Sequence, residues 1–339
     1  MSEIITGEKL NRLVDEWIAA GGLAVGPICV KDDLVQYMPL KNAAALLLEG
    51  FIHPANALKE FLFPRHECLY EYKLKGKEVE IVDNPPAIPK TLAIGARPCD
   101  AAALSILDDV FNWDYKDDFY NRRREATTVV TLACKSFDES CFCTSVGLGP
   151  VAERGSDAML LDLGGGQYEV RTFTEKGRAV FQGRTEKSAK TAPEFKGPGK
   201  RFEVEDVQAF LKDHFEDPIW KERSLRCLGC GACAYTCPTC HCFDIVDEHK
   251  PGGGCRVRNW DACQFNQFTQ HASGHNPRTS VPQRQRQRIT HKFSIYPEKF
   301  GKVLCTGCGN CVRNCPVHLG VLSILEAAAE ATGAGAKKG

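Results

Sequence analysis

The chain has 339 residues, 43% of them hydrophobic and 25% charged, a globular profile with room for two domains. Lys plus Arg and Asp plus Glu each number 43, so the net charge is zero and no global field points to nucleic acid or an anionic membrane as partner. Eighteen cysteines, grouped in a long chain that starts with no signal peptide, argue against a secreted disulfide scaffold and for a reducing cytoplasm, and no apolar run reaches the roughly 18 residues of a membrane span.

In chain order, residues 7 to 20 place Leu10, Leu13, Val14, Trp17 and Ile18 on one helical face, with Gly21 and Gly22 as the stop. Strand-like runs follow at 23–30, 34–38, 68–74 and 78–82, with a helix around 56–61. Phe51, Phe61, Phe63, Tyr70 and Tyr72 read as core rather than as a flavin or partner surface. The runs 91–96 and 127–133 are short, apolar and β-rich, the kind buried in a parallel sheet. Each leads to a cysteine, Cys99 in Arg97-Pro98-Cys99-Asp100 and Cys134, and Cys141 and Cys143 follow. In open α/β sheets ligands bind beyond the carboxyl ends of strands, so these four thiols converge where a cofactor sits. An i, i+2 pair in extended backbone points both thiols to one side, which supports a third 4Fe-4S cluster on Cys99, Cys134, Cys141 and Cys143. The rival is four small buried side chains, the reading adopted for the isolated Cys29 and Cys68.

Residues 156 to 185 read as a hairpin turning at Gly164 to Gly166, not as a dinucleotide fingerprint, because no G-x-G-x-x-G opens a helix there. A Lys-, Thr-, Pro- and Gly-rich linker runs from 183 to 200, and a helix from about 204 to 215 leads to the cysteine-rich segment.

That segment writes C-x2-C-x2-C-x3-C-P twice at one constant offset: Cys227, Cys230, Cys233, Cys237-Pro238, and Cys305, Cys308, Cys311, Cys315-Pro316. Three cysteines at intervals of three let a loop curl round one 4Fe-4S cube, with Gly229, Gly231, Gly307 and Gly309 bringing backbone N–H groups close to sulfur. The fourth cysteine precedes a proline suited to a helix start, and in two-cluster ferredoxins it serves the other cluster. The ligand sets are therefore Cys227, Cys230, Cys233 and Cys315 for one cluster, and Cys305, Cys308, Cys311 and Cys237 for the second. Structural zinc prefers paired C-x2-C motifs and fits this spacing poorly. Between the motifs lie Cys240, Cys242, Cys255 and Cys263, with His241 and His249, for which packing beside the first cluster and a fourth metal site both stay open. The basic run Arg278, Arg284, Arg286, Arg288, His291 and Lys292 reads as a solvated face by default, or as a docking surface for an acidic partner, or as a lining near the anionic clusters.

The expected architecture is a mixed α/β N-terminal domain over 1–200, a helical linker over 201–220, a two-cluster ferredoxin-like α+β domain over 221–325 with an insertion at 243–300, and a disordered tail over 326–339.

The strings ARPCDAAAL (96–104), ACKSFDESCFC (133–143), CLGCGACAYTCPTCHCFDI (227–245), ASGHNPR (272–278), RQRQRITHKF (284–293) and CTGCGNCVRNCP (305–316) resemble the iron-sulfur beta subunit of cytoplasmic sulfhydrogenases. They are equally similar to the A subunit of anaerobic sulfite reductase. The ferredoxin run alone is shared by many redox proteins, whereas RPCD, CFC and CPTCHCFDI are more specific. The resemblance implies an electron-transfer subunit between an FAD- and NAD(P)-binding subunit and a catalytic one, either a nickel-iron hydrogenase or a sirohaem reductase. A stand-alone reductase with a substrate site in the N-terminal domain is the alternative of another class. No nucleotide fingerprint or acid-base pair supports it.

Overall fold

The computed structural model describes residues 1–82 and 87–332. In chain order the strands are β1 (Ser2–Thr6), β2 (Leu23–Lys31), β3 (Leu34–Pro39), β4 (His66–Lys75), β5 (Glu78–Val82), β6 (Thr91–Ala96), β7 (Thr127–Leu132), β8 (Ala158–Gly164), β9 (Gln167–Thr172), β10 (Glu186–Ser188), β11 (Phe243–Lys250) and β12 (Gly253–Trp260).

Eight of them form one sheet in the order β10-β1-β9-β8-β7-β6-β2-β3, whose centre, β8-β7-β6-β2, is parallel. Every residue of β6 and β7 is buried, as continuous apolar strands covered on both faces require. Alternation splits them: Leu92, Ile94, Val130 and Leu132 face the helix Gly7–Ala19, while Ala93 and Val129 face the helix Pro98–Val110. The first helix is capped by the Thr6 hydroxyl, which accepts from the Lys9 amide, and buries Leu10, Leu13 and Val14. The second starts directly off β6 with Pro98 in its first turn, where the missing N–H costs nothing.

A smaller antiparallel sheet has the order β11-β12-β4-β5. Its hairpin β11–β12 comes from the segment expected as an insertion in the ferredoxin domain, yet β12 pairs with β4 from the N-terminal half. The chain thus crosses the expected boundary near residue 200, and the two halves share a sheet. Between 221 and 325 this hairpin supplies all the described strands, so the cluster motifs sit on loops followed by single helical turns, Ala232–Tyr235 and Asn310–Arg313, rather than on a ferredoxin-like sheet.

The C-terminal core joins Val207, Phe210 and Trp220 of the linker region to Ile289, Phe293, Ile324 and Leu325. The helix Leu322–Ala331 belongs to it, which corrects the expectation of a disordered tail from residue 326: Leu325, Ala328 and Ala329 are buried because apolar residues recur at helical spacing. Residues 333–339 of that expected tail lie outside the described residues.

Three further expectations are corrected. Cys29 is exposed, not buried, because it lies near the β2–β3 turn. Cys68 is not a lone core thiol, since it forms a disulfide with Cys255 across β4 and β12, where the strand register brings them together. The basic run is not a solvated face: Arg284, Arg286, Arg288 and Lys292 are 7%, 9%, 2% and 2% exposed, on the helix Val281–Thr290 and the π-helical turn His291–Ile295 that follows. Arg286 pairs with Glu216 at 2.8 Å, while burial of cations without a carboxylate partner, as at Arg288 and Lys292, is tolerated only beside compensating negative charge.

Candidate iron-sulfur sites

The two C-x2-C-x2-C loops have one backbone. Gly229 and Gly231 have φ +65° and +74°, Gly307 and Gly309 +63° and +79°, a left-handed conformation that turns successive amides inward. Gly229 N–H donates to Cys227 Sγ at 3.4 Å and Gly307 N–H to Cys305 Sγ at 3.5 Å. Cys227, Cys230, Cys233 and Cys315 line one cavity, in which Gln285 Nε2 also donates to Cys227 Sγ at 3.1 Å and the Leu319 amide to Cys315 Sγ at 3.4 Å. Cys237, by contrast, lies toward the other loop: Lys292 Nζ, 3.5 Å from its Sγ, also donates to the carbonyl of Leu304, the residue before Cys305. The fourth cysteine of each motif therefore stands with the three of the other.

Cys99, Cys134, Cys141 and Cys143 also line one cavity. The parallel pairing of β6 with β7 puts Cys99 and Cys134 at the same edge of the sheet. Phe142, 1% exposed, anchors the loop by inserting among Phe202 and Phe293, which leaves its neighbours Cys141 and Cys143 at the cavity. The linker closes the far side through Lys196, Gly197 and Pro198, with Thr144 Oγ1 donating to the Pro198 carbonyl at 2.8 Å.

The donor set fits iron-sulfur cubes. Among the described residues, no three cysteine thiols lie within 4.8 Å of one another. A tetrahedral zinc needs its sulfurs closer, at about 2.3 Å from one ion, whereas a cube spreads its thiolates over four irons. Burial, first, and the neighbouring thiols push Cys143 up to about 12; burial does the same for Cys233. Metal must displace those protons, so assembly releases them.

Residues 226–319 match the 4Fe-4S dicluster domain family. Over 281 residues the chain is 31% identical to the sulfhydrogenase 2 subunit beta of Pyrococcus furiosus, an alignment covering 79% of this chain and 81% of that protein. The chain belongs to the sulfhydrogenase beta-subunit family. No solved structure matches it.

In this family member the sites adjoin one another. The N-terminal cavity includes Gly307 and Cys308 of the second motif, and the Cys99 thiol feels the Cys308 charge. Arg313 joins the two: its guanidinium forks onto the Asp138 carboxylate with two 2.7 Å contacts, donates to Cys141 Sγ at 2.9 Å and to the Cys308 carbonyl. On the other side, Cys233 packs against the core cluster that holds Cys311, which brings the second motif next to the first.

Sequence reasoning missed Arg313, which reads as one of many surface cations until its partner is known. It also missed the buried set behind Cys99, where Tyr37 O–H donates to Asp100 Oδ2 at 2.7 Å and His53 Nε2 lies 3.0 Å from the same oxygen. The basic run acquires its role here. Burial pulls Lys292 down, but the Cys237, Cys240 and Cys305 thiolates outweigh it and leave its pKa above the usual lysine value. Lys292 Nζ lies 3.5 Å from Cys237 Sγ and donates to Thr239 Oγ1 and the Leu304 carbonyl.

Proposed function

We propose that the chain is a non-catalytic electron-transfer subunit of a cytoplasmic oxidoreductase complex. It holds one 4Fe-4S cluster through Cys227, Cys230, Cys233 and Cys315, a second through Cys305, Cys308, Cys311 and Cys237, and a third through Cys99, Cys134, Cys141 and Cys143. A bound cluster of this kind takes up and gives back one electron at a time. The chain's own residues do the rest: amides and Gln285 donate to thiolate sulfur, Lys292 offsets the negative charge beside Cys237, and burial of Cys308 and Cys311 keeps water from the second site.

The observation that carries the reading is the adjacency of the three thiol sets: Cys99 of the N-terminal set and Cys308 of the second motif line one cavity, and Cys311 of the second motif and Cys233 of the first pack in one core cluster. Such a line has use only if both ends meet partners. At one end Cys230 is exposed beside Leu228, 66% exposed, and Leu225, 75% exposed. At the other, Phe137, 46% exposed, stands at the N-terminal cavity. Exposed large apolar side chains at both ends suit two protein contacts. The relative is by name one subunit of a sulfhydrogenase, which supports catalytic partner subunits; the partners proposed for this chain are an FAD- and NAD(P)-binding subunit at one end and a nickel-iron catalytic subunit at the other.

The test reduces the isolated chain with dithionite and offers protons, sulfite or polysulfide. No turnover is expected without a partner, whereas turnover by the chain alone would contradict the proposal. Subunits that co-purify decide the complex: a nickel-iron subunit supports it, and a sirohaem subunit selects sulfite reduction instead.

A further inference from the structure

A third cavity, of about 460 Å³, belongs to none of these sites. Cys240, Cys242 and Cys263 line it, facing Arg288, Lys292 and His291. Arg278 and His241 also reach it, and no carboxylate does. The cavity is therefore cationic and thiol-bearing together.

We infer that Cys240, Cys242 and Cys263 bind a fourth iron-sulfur cluster in this cavity, its negative charge offset by Arg288 and Lys292.

Arg288 supplies the observation independent of the cysteines. It is 2% exposed, its Nη2 donates to the Cys233 carbonyl at 2.7 Å, and its Nε and Nη1 have no acceptor. An orphaned, buried guanidinium is costly unless an anion meets it. A thiolate-bound cluster is such an anion. A sulfur oxyanion would satisfy the arginine but would give three thiols nothing to do.

Cys242 and Cys263 neighbour each other, but among the described residues no third donor joins them within reach of one ion. No three of the thiols and imidazoles here lie within 4.8 Å of one another among the described residues, closer than which a tetrahedral zinc would draw its donors. The fourth iron of a cube held by three cysteines would face the two imidazoles. His241 Nδ1 lies 3.1 Å from the Thr239 carbonyl, which orients the ring and leaves Nε2 free, and the His291 ring is 5.5 Å away between centroids.

The position fits the proposed relay, on which this inference rests. Cys240 packs with Cys237 of the second set in one buried cluster, and Arg288, which lines the cavity, donates to the carbonyl of Cys233 of the first set. The cavity thus lies beside both ferredoxin sites, and reaches the surface at Ile295, 46% exposed, and Phe243, 39% exposed. A cluster there gives the line a lateral branch.

The test uses the anaerobically isolated full chain. Iodoacetamide is added with iron in place, and alkylation is mapped by mass spectrometry, with exposed Cys29 as the positive control. Cys240, Cys242 and Cys263 should stay unlabelled until chelator and oxidant strip the iron. The wild type should hold about sixteen irons, and a Cys242→Ser, Cys263→Ser variant about twelve, one cube fewer. Labelling of these thiols with the iron present overturns the inference. So does their release by a thiol reductant without iron loss, stoichiometric zinc, or a wild type that holds only about twelve irons. Those results leave the three-cluster relay standing. An iron-free wild type overturns both.

Discussion

The amide of Phe142 donates to the carbonyl of Gly307 at 2.9 Å, so the loop carrying Cys141 and Cys143 is bonded directly to the loop carrying Cys305 and Cys308. Gly307 has φ +63°, and a Cβ there would lie 2.5 Å from Cys143 N and Cα. Gly307→Ala must move one loop or the other, at a cost of about 2–4 kcal/mol from strain and collision. Electron paramagnetic resonance of the reduced variant should show changes in both the N-terminal and the second ferredoxin signals. Confinement to one signal would mean the loops are not coupled.

Crossed ligation makes a second prediction. Cys237→Ser should damage the cluster held by Cys305, Cys308 and Cys311, and Cys315→Ser the one held by Cys227, Cys230 and Cys233, because each fourth thiol stands with the opposite loop. The spectra of Cys237→Ser and Cys305→Ser should then lack the same component. If Cys237→Ser instead matches Cys227→Ser, the crossing is wrong.

Lys292 tunes the second cluster. Its ammonium, 3.5 Å from Cys237 Sγ, favours the reduced and more negative form. Lys292→Gln should lower that cluster's midpoint potential by on the order of 100–200 mV, the size of one unit charge about 4–8 Å away in a medium of effective dielectric about 20. A potential unchanged in a redox titration would assign the lysine to packing.

Much of this was legible in the sequence, for physical reasons that differ by element. β6 and β7 could be read because strands buried on both faces are continuously apolar, and their ends then fix where Cys99 and Cys134 lie. The ferredoxin loops could be read because cluster geometry dictates spacing. The basic run misled, since Arg284 to Lys292 has the composition of a surface helix and its counter-charge comes from cysteines distant in sequence. The pairing of β12 with β4, and with it the Cys68–Cys255 disulfide, was invisible because nothing local encodes which distant strand a hairpin joins.

Acid should destabilise the fold through two imidazoles. Burial, first, with the charge on His291, holds His241 down to about 3, and burial with Lys292 and Arg278 holds His291 to about 4. Both folded-state values lie below the ordinary 6.5, so the stability they confer is whole above pH 6.5 and is lost as pH falls toward 4 and 3. Melting temperatures measured from pH 7 to 4 should fall, and fall less steeply in His291→Gln. Parallel profiles would remove His291 from the acid response.

The relay itself is tested most directly by cutting it inside the assembled complex. Cys134→Ser removes one thiol of the N-terminal set while leaving the partners and the ferredoxin pair in place. NAD(P)H-linked turnover of the complex should fall at least tenfold, while turnover driven by a viologen that reduces the catalytic subunit directly should stay at the wild-type rate. Equal rates in both assays for variant and wild type would contradict an electron path through this chain's N-terminal site.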